Sequence, residues 1–336
     1  MQFSHTLQSL KFRAKELAGK MRLPADPKSL TKSFAAAGLT FLLLILLLMW
    51  WWSRTPSLFD PVMLAQSQAD SHKHEMVPGY VSTVTLIQLG ETLLNKSGGY
   101  LRNDVLPPSV WMDNMPSWEF GVLMQIRDFS SAMQRDFSRS QPQFEDDPDL
   151  KQAAERFAFD SNSWMFPSSE REYRRAIRSL ESYQSRLGTQ DEDVASFTIT
   201  AEALDSWLNT VTERLQDRLE KLSASHRPLQ KAISQDHTPR YQIDNVFFET
   251  RGQLWALKHL LEAVQVDFAE VLSSNANELV SQMVMELEVS LRSLCSPVIL
   301  NRHGFGLFAN HSLTLAFFVQ RLQTQLDLLR QEIGNS

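Results

Sequence analysis

Hydrophobic residues recur every three or four positions over most of the second half of the chain. The four series occupy residues 194–222, 247–271, 280–294 and 315–333. An average spacing near 3.5 residues predicts amphipathic helices that cross at shallow angles. No run of residues alternates as a strand would. The pattern therefore predicts an all-α protein in which these helices form an elongated antiparallel helical bundle.

The first half of the chain predicts shorter helices separated by irregular segments. One helix is expected over residues 82–96, where it stops at a pair of glycines, and another from Ser117 as N-cap to about residue 139. Ser169 and Glu172 fit a capping box that opens a third helix. The acidic run at residues 145–149 predicts a solvated loop that leads into a short helix.

The segment at residues 34–52 has a different pattern, because its 19 residues include no ionisable side chain and many large apolar ones. As a helix rising about 1.5 Å per residue it would span about 28 Å, close to the hydrocarbon thickness of a bilayer. Tryptophan collects at the boundary between membrane and water. The sequence therefore predicts a single N-terminal transmembrane helix, with the lipid bilayer as a partner and three membrane-interface residues, Trp50, Trp51 and Trp52.

A cleaved signal sequence is the alternative interpretation of this segment. Its apolar region would cover about 7–15 residues, with small residues at a cleavage point shortly after it. Here the apolar run is longer, and the nearest small-x-small pattern, at residues 67–69, lies well beyond it. The sequence favours a retained anchor.

The distribution of charge predicts the orientation of the anchor. The 33 residues before it carry a net charge of +5, and because the whole chain carries −6, the part after it carries −11. Positively charged flanks stay on the cytoplasmic side. We expect a single-pass protein of the bacterial inner membrane, with a cytoplasmic N-terminus and a periplasmic C-terminal domain. The negative charge of that domain argues against binding to nucleic acid.

These observations divide the chain into four parts. Residues 1–33 form a basic cytoplasmic segment, for which an amphipathic helix and a disordered tail are both open, and residues 34–52 form the anchor. Residues 53–79 read as a linker with at most one short helix. Residues 80–336 form the periplasmic helical domain, with a possible subdivision near residue 190. Its one cysteine, Cys295, excludes an internal disulfide, so the domain must be held together by its core.

Two groups of side chains resemble fragments of chemical sites. Residues 72–75 hold two histidines and a glutamate, which are potential metal ligands, but no second ligand pair with zinc-site spacing accompanies them. Cys295 with His303 or His311 would be a nucleophile and base, although a lone cysteine in a helical region is more often a packing residue. The sequence contains no G-x-S-x-G, P-loop or G-x-G-x-x-G motif. We expect no cofactor and no metal.

The segment at residues 98–120 is the strongest candidate for a site, because it combines glycines, prolines, aromatic residues and carboxylates. Aromatic rings stack on sugars and paired acids transfer protons, so Glu119, Asp113 or Asp104 would act on a glycan. The simpler interpretation is that the tryptophans hold a long loop against the bundle. The candidate interaction residues of this loop are Tyr100, Trp111, Asp113, Trp118 and Glu119.

Three strings resemble a known family: GYVSTVTLIQLGETLLNKSGGYLRNDVLPP, WMDNMPSWEFGVLMQIRDFS and RDFSRSQPQFEDDPDL. They are similar to a proteobacterial membrane-protein family catalogued as domain of unknown function 2333. The resemblance runs from before the anchor to the C-terminus and is densest at residues 79–183. It implies a single-pass inner-membrane protein with no assigned activity, cofactor or catalytic residue, so no functional residue is carried over.

Two functions from different classes follow from the sequence. The first is a non-enzymatic scaffold or adaptor of the cell envelope, which binds an envelope protein or a second copy through the C-terminal bundle or the loop at residues 111–119. The alternative is an envelope enzyme acting on glycan or peptidoglycan through carboxylates in residues 98–120. A sensor is a third idea, but 33 cytoplasmic residues are too few for a kinase or cyclase domain. The sequence favours the scaffold and leaves enzymatic activity undecided.

Overall fold

The computed structural model describes residues 27–138, 146–189, 195–224, 243–292 and 311–335, and no strand occurs among them. These residues form ten α-helices, which confirms the all-α helical bundle expected from the sequence. Their bounds are α1 Pro27–Trp52, α2 Pro61–His72, α3 Tyr80–Asn95, α4 Asn114–Ala132, α5 Pro148–Phe157, α6 Ser169–Gly188, α7 Ala201–Ala224, α8 Ile243–Asp267, α9 Ser274–Ser290 and α10 His311–Asn335.

The chain divides into two compact units, Met1–Trp51 and Trp52–Ser336. In the first unit, α1 begins seven residues before the expected apolar segment. Of the helices in the described ranges, this one alone, over Thr31–Trp52, is long and apolar enough to cross a membrane, and its large side chains are almost all exposed. A signal sequence near an N-terminus meets the same two criteria of length and composition. Residues 1–26 of the expected basic segment, residues 1–33, lie outside the described residues.

The second unit is built around helices α4 and α8, which make its most extensive contact and approach closely at two glycines. A Cβ atom at Gly121 would lie 2.0 Å from the carbonyl oxygen of Glu249, and one at Gly252 would lie 2.0 Å from that of Trp118. Both distances are far inside van der Waals contact. Only glycine therefore permits the two backbones to meet at this crossing.

Two aromatic pairs show the relative direction of these two helices. The ring centroids of Trp118 and Trp255 lie 5.2 Å apart, as do those of Phe137 and Phe268. The residue that comes first along α4 meets the residue that comes first along α8, so the two helices run in parallel. Large aromatic side chains at edge-on spacing add to the burial energy of this core.

The remaining helices surround this pair mainly through antiparallel contacts. Helix α7 pairs with α10 through Asp205 and Arg330, 2.6 Å apart, and through Gln216 and Gln323, 3.0 Å apart. Helices α5 and α6 form a hairpin, and α3 packs against α6 and α8. All four C-terminal helices expected from the hydrophobic pattern are present.

Helix α4 differs from its expected bounds at both ends. It begins at Asn114 rather than at Ser117, and Asp113 occupies the N-cap position without a capping hydrogen bond from its side chain. The α-helix ends at Ala132 and continues as a π-helical turn, Met133–Phe137. A wider turn of this kind rotates the following side chains about the helix axis. Phe137, the last residue of this turn, is buried in the core.

The second unit has an end at which α3 stops and α4 and α6 begin, which we call the tether end. Lys96 meets Glu119 there, and Asn95 meets Arg174. Arg54, Thr55, Pro56 and Ser57 line a surface depression together with Lys96 and Ser97. The first residues of the second unit therefore lie at the tether end.

The chain is then fastened to α8 at Phe59. Its backbone N–H donates to Nε2 of His259 over 3.1 Å, and the two rings stack with centroids 4.0 Å apart. Nδ1 of His259 lies 2.7 Å from the Trp255 carbonyl oxygen, so Nδ1 is the donor and Nε2 the acceptor. Burial lowers the pKa of His259 to about 3, which keeps the ring neutral in this arrangement.

Residues 61–79, expected to belong to a linker, contain α2, which packs on α3 and α8. Asp60 caps this helix by accepting the N–H groups of Val62 and Met63. Ala65 and Ala69 are buried against the core. Most of this segment is therefore docked on the helical unit.

Candidate functional site

The segment at residues 98–120 starts with a reversal of direction after α3. Gly98 and Gly99 have φ values of +88° and +72°. Residues with a side chain rarely adopt this left-handed region, whereas glycine does so at little cost. The two glycines therefore end α3 and turn the chain back toward α4.

Glu119, in the first turns of α4, organises the inner part of this segment. Its carboxylate accepts the backbone N–H of Leu101 over 2.9 Å and that of Arg102 over 2.8 Å. The Lys96 ammonium lies 2.5 Å from the same carboxylate. The Glu119 side chain is 0% exposed and that of Lys96 is 3% exposed. This buried ion pair fastens the turn after α3 to the start of α4.

The electrostatic balance at Glu119 contains opposing effects. Burial raises the pKa of the Glu119 carboxyl group, while the Lys96 ammonium and the N–H groups of Leu101 and Arg102 oppose that rise. Removing one partner from a buried pair leaves an uncompensated charge, which is costly. Glu119 therefore has a structural role, which is to connect residues 96–102 to the start of α4.

A second set of contacts joins residues 100–103 to the loop between α5 and α6. The Tyr100 hydroxyl donates to the Ser161 carbonyl oxygen over 3.0 Å. The Asn103 amide donates to the Ser163 carbonyl oxygen over 2.7 Å and to Glu170 over 2.8 Å. These bonds hold the two loops side by side at the tether end.

The five candidate interaction residues separate into two groups. Tyr100, Trp118 and Glu119 are buried in the core, whereas Trp111 and Asp113 are exposed. Trp118 packs edge-on against Trp255, which is the packing role considered for the tryptophans.

The three carboxylates proposed for the alternative enzyme occupy different environments. Asp104 and Asp113 face solvent, and the oxygens of Glu119 are directed into the core, where Lys96 and two backbone N–H groups contact them. An acid and base acting on one sugar need to face the same cleft. The geometry gives Glu119 a structural role and does not bring it into a shared cleft with either aspartate.

An open surface cleft of about 490 Å³ lies beside the buried part of the segment. Gly98, Gly99, Tyr100 and Asp104 line one side of it. The other side comes from the start of α6, with Ser168, Glu170, Arg171, Arg174 and Arg178. The cleft is therefore polar and rich in guanidinium groups, which suit anionic partners.

The fragment at residues 72–75 does not form a metal site in the structure. His72 is exposed, and the His74 ring lies 3.1 Å from the Tyr80 hydroxyl and 5.4 Å, between centroids, from His72. Partial burial, followed by the neighbouring His72, lowers the pKa of His74. Within the described ranges, no three His, Cys, Asp or Glu side chains converge as metal ligands. Cys295 and His303 lie outside those ranges.

One important residue that sequence reasoning missed is Asp267, at the end of α8. Its carboxylate accepts the Ser82 N–H over 2.7 Å, and the Gly79 and Val81 N–H groups also contribute. It thereby caps α3, whose own N-cap position is a glycine without a side chain. The sequence has no capping side chain directly before residue 80, which indicates that a distant residue must accept these N–H groups. It does not indicate which residue does so.

Fold and site together define an all-helical protein with one N-terminal apolar helix and a helical unit in which the buried Lys96–Glu119 ion pair has a structural role. The chain belongs to the family described as "Uncharacterized protein conserved in bacteria (DUF2333)", whose model matches residues 27–333. The resemblance carried by residues 79–183 is confirmed. No curated protein and no solved structure matches the chain.

Proposed function

We propose that this protein is a single-pass protein of the bacterial inner membrane, whose helical unit lies in the periplasm and acts by binding as a scaffold or adaptor of the cell envelope. The observation that carries the proposal is the exposure of α1. Phe34, Phe41 and Leu47 are each more than half exposed, although they belong to an uncharged apolar run. Such a helix needs an apolar environment, and a bilayer supplies one along its whole length.

The charge on either side of α1 supports the orientation. A net charge of +5 precedes the apolar segment and −11 follows it. If the basic residues before α1 stay on the cytoplasmic side, the helical unit after α1 lies in the periplasm. The apolar run is also longer than that of a typical signal sequence.

The assignment to binding rests on how the helical unit uses its acidic and apolar groups. Glu119 and Asp267 are occupied by structural hydrogen bonds. Phe317 on α10 and Met285 on α9 are each 59% exposed. Phenylalanine and methionine are enriched in protein interfaces relative to the rest of the surface, so these two side chains are the candidate anchors for a partner.

Membrane fractionation of cells that carry different tags at the two ends tests the anchor and its orientation. We expect both tags to stay in the membrane after carbonate extraction. Protease added to spheroplasts should remove only the C-terminal tag. A mature protein that lacks the N-terminal tag and appears in the soluble periplasmic fraction would refute the anchor.

Photo-crosslinking in cells tests the binding function. A photoreactive residue at Phe317 should form adducts with an envelope protein or a second copy. The same residue at Lys151, an exposed charged position on α5, is the matched control and should give none. Absence of adducts from Phe317 and Met285 alike would contradict a scaffold that uses the C-terminal bundle.

A further inference from the structure

Two loops at the tether end expose large apolar side chains to solvent. The first, residues 105–111, exposes Leu106 by 71% and Trp111 by 58%, together with two valines. The second, residues 164–166, exposes Phe166 by 87%, together with Trp164 and Met165. We call these segments the apolar tips. Single exposed apolar residues are ordinary, but a group of seven at one place marks an interaction surface.

The apolar tips are neighbours and are held in place from beneath. The Asn103 amide, just before the first tip, donates to the Ser163 carbonyl oxygen, just before the second. Tyr100 and Arg102 also bond to Ser161, at 3.0 and 3.2 Å. The Tyr100 hydroxyl, the Arg102 guanidinium and the Asn103 NH2 group are therefore engaged within the fold, while the apolar side chains of the tips are exposed.

The backbone of Phe166, in the second tip, has an unfavourable conformation. Its φ value is +42°, in the left-handed region that bulky side chains rarely adopt. The side chain gains no packing in return, because it is the most exposed large apolar group in the described ranges. A strained and exposed aromatic residue indicates a surface with a binding partner.

The position of the tips identifies that partner. Arg54 and Ser57 lie beside Lys96 and Ser97 at the same end of the unit, and Phe59 is fixed to His259. Seven residue steps separate Trp52 from Phe59, so this tether reaches at most about 25 Å. If α1 spans the bilayer, as proposed above, the tether end is the end closest to the lipid headgroups.

We propose that the apolar tips insert into the headgroup region of the bilayer that α1 crosses, and so fix the helical unit against the membrane surface. Tryptophan and phenylalanine are favoured at this depth. The cleft next to the tips presents Arg171, Arg174 and Arg178, beside the acids Asp104 and Glu170. Guanidinium groups there are placed to contact the phosphates of the same lipids.

Site-directed spin labelling of the full-length protein in nanodiscs of phosphatidylethanolamine and phosphatidylglycerol tests this proposal. In a Cys295→Ser background, a nitroxide is placed at residue 106 or at residue 166. The control is residue 266, where Val266 is an exposed apolar residue next to Asp267, at the opposite end of α3 from the tips. Accessibility to oxygen and to a water-soluble nickel chelate gives the depth of each label.

We expect the labels at the tips to lie about 5–10 Å inside the headgroup boundary, protected from nickel, and the label at residue 266 to remain in water. Nickel accessibility equal at all three positions, in protein that stays in the nanodisc, would overturn the insertion of the tips and leave the anchor intact. Failure of the chain to remain in the nanodisc would overturn the anchor, and the insertion with it.

A second measurement separates lipid from protein as the partner. A photoreactive residue that replaces Leu106 in cells should form adducts with phospholipid. An adduct with another protein, or with a second copy, at this position would refute the membrane as the partner of the tips.

Discussion

Residues 98–120 have an inner part and an outer part of opposite character. In the inner part, Tyr100, Trp118 and Glu119 are buried; the Glu119 carboxylate pairs with Lys96, and the Tyr100 hydroxyl donates to the Ser161 carbonyl oxygen. In the outer part, Leu106 and Trp111 project into solvent. The two parts contain the same kinds of residue, including one tryptophan each.

The comparison shows that one segment has two roles. Its inner part supports the fold, and its outer part presents an apolar surface to solvent. A buried ion pair contributes little net stability by itself, but it is expensive to break, so it defines one position for the chain. The outer part then presents its apolar side chains from a fixed base. Substitutions should therefore separate sharply into those that unfold the protein and those that change only what it contacts.

Loss of the Lys96 ammonium should have the largest effect, because it leaves the carboxylate of Glu119 buried without a cation. We expect Lys96→Met to lower the free energy of unfolding by about 3–5 kcal/mol. Denaturant unfolding of the full-length protein in detergent measures this change. The double variant Lys96→Met, Glu119→Gln should recover much of the loss, since no charge then remains buried.

Lys221→Met is the matched control for this prediction. Lys221 pairs with Asp217 at 2.9 Å, but both side chains are 44% exposed. Screening by solvent limits such a pair to about 1 kcal/mol or less. Equal losses in the two lysine variants would contradict the structural role assigned to Lys96.

Asp267 provides the next test, because it is a buried carboxylate that pairs with no cation within the described residues. Asp267 accepts backbone N–H groups as Glu119 does, and burial outweighs them and raises its pKa to about 6, from 3.8. The native state therefore holds a proton that the unfolded state releases, and the contribution of Asp267 to stability is lost as the pH rises from about 4 to 6. The loss is at most about 3 kcal/mol, at 1.36 kcal/mol per pKa unit.

The variant Asp267→Asn isolates this contribution. The amide oxygen still accepts the Ser82 N–H, but the side chain no longer titrates. We expect the free energy of unfolding of Asp267→Asn to fall less between pH 4 and pH 6.5 than that of the wild-type chain. Parallel pH profiles for the two proteins would show that another group is responsible.

The sequence predicts the helices well because their periodicity is local, but it predicts caps and partners poorly. For α6, Ser168 caps the helix by accepting the Arg171 N–H, whereas Ser169, the expected cap, contacts carbonyl oxygens of the preceding loop. Glu172 does not complete a capping box and pairs with Arg156 instead. The neighbouring serines differ only in their tertiary surroundings.

The candidate site shows the same limit at longer range. The sequence identifies residues 98–120 as unusual, because glycines, prolines and tryptophans rarely collect in one short segment. It does not separate Trp111 from Trp118, since burial is decided by α8, more than a hundred residues later. The contact between Phe59 and His259 spans 200 residues and has no local signal at all.

The smallest effect is expected at Trp111, and its comparison with Trp118 tests the division of the loop directly. Trp118→Ala should cost about 3–5 kcal/mol, because it leaves a cavity in the core against Trp255. Trp111→Ala should cost about 1 kcal/mol or less, because most of that side chain is already in solvent. Denaturant unfolding in detergent measures the free energy of unfolding of both variants. The comparison is matched, because both remove a tryptophan from the same segment. A loss at Trp111 as large as that at Trp118 would mean that the outer part is a support of the fold, and the insertion of the apolar tips would then lose its basis.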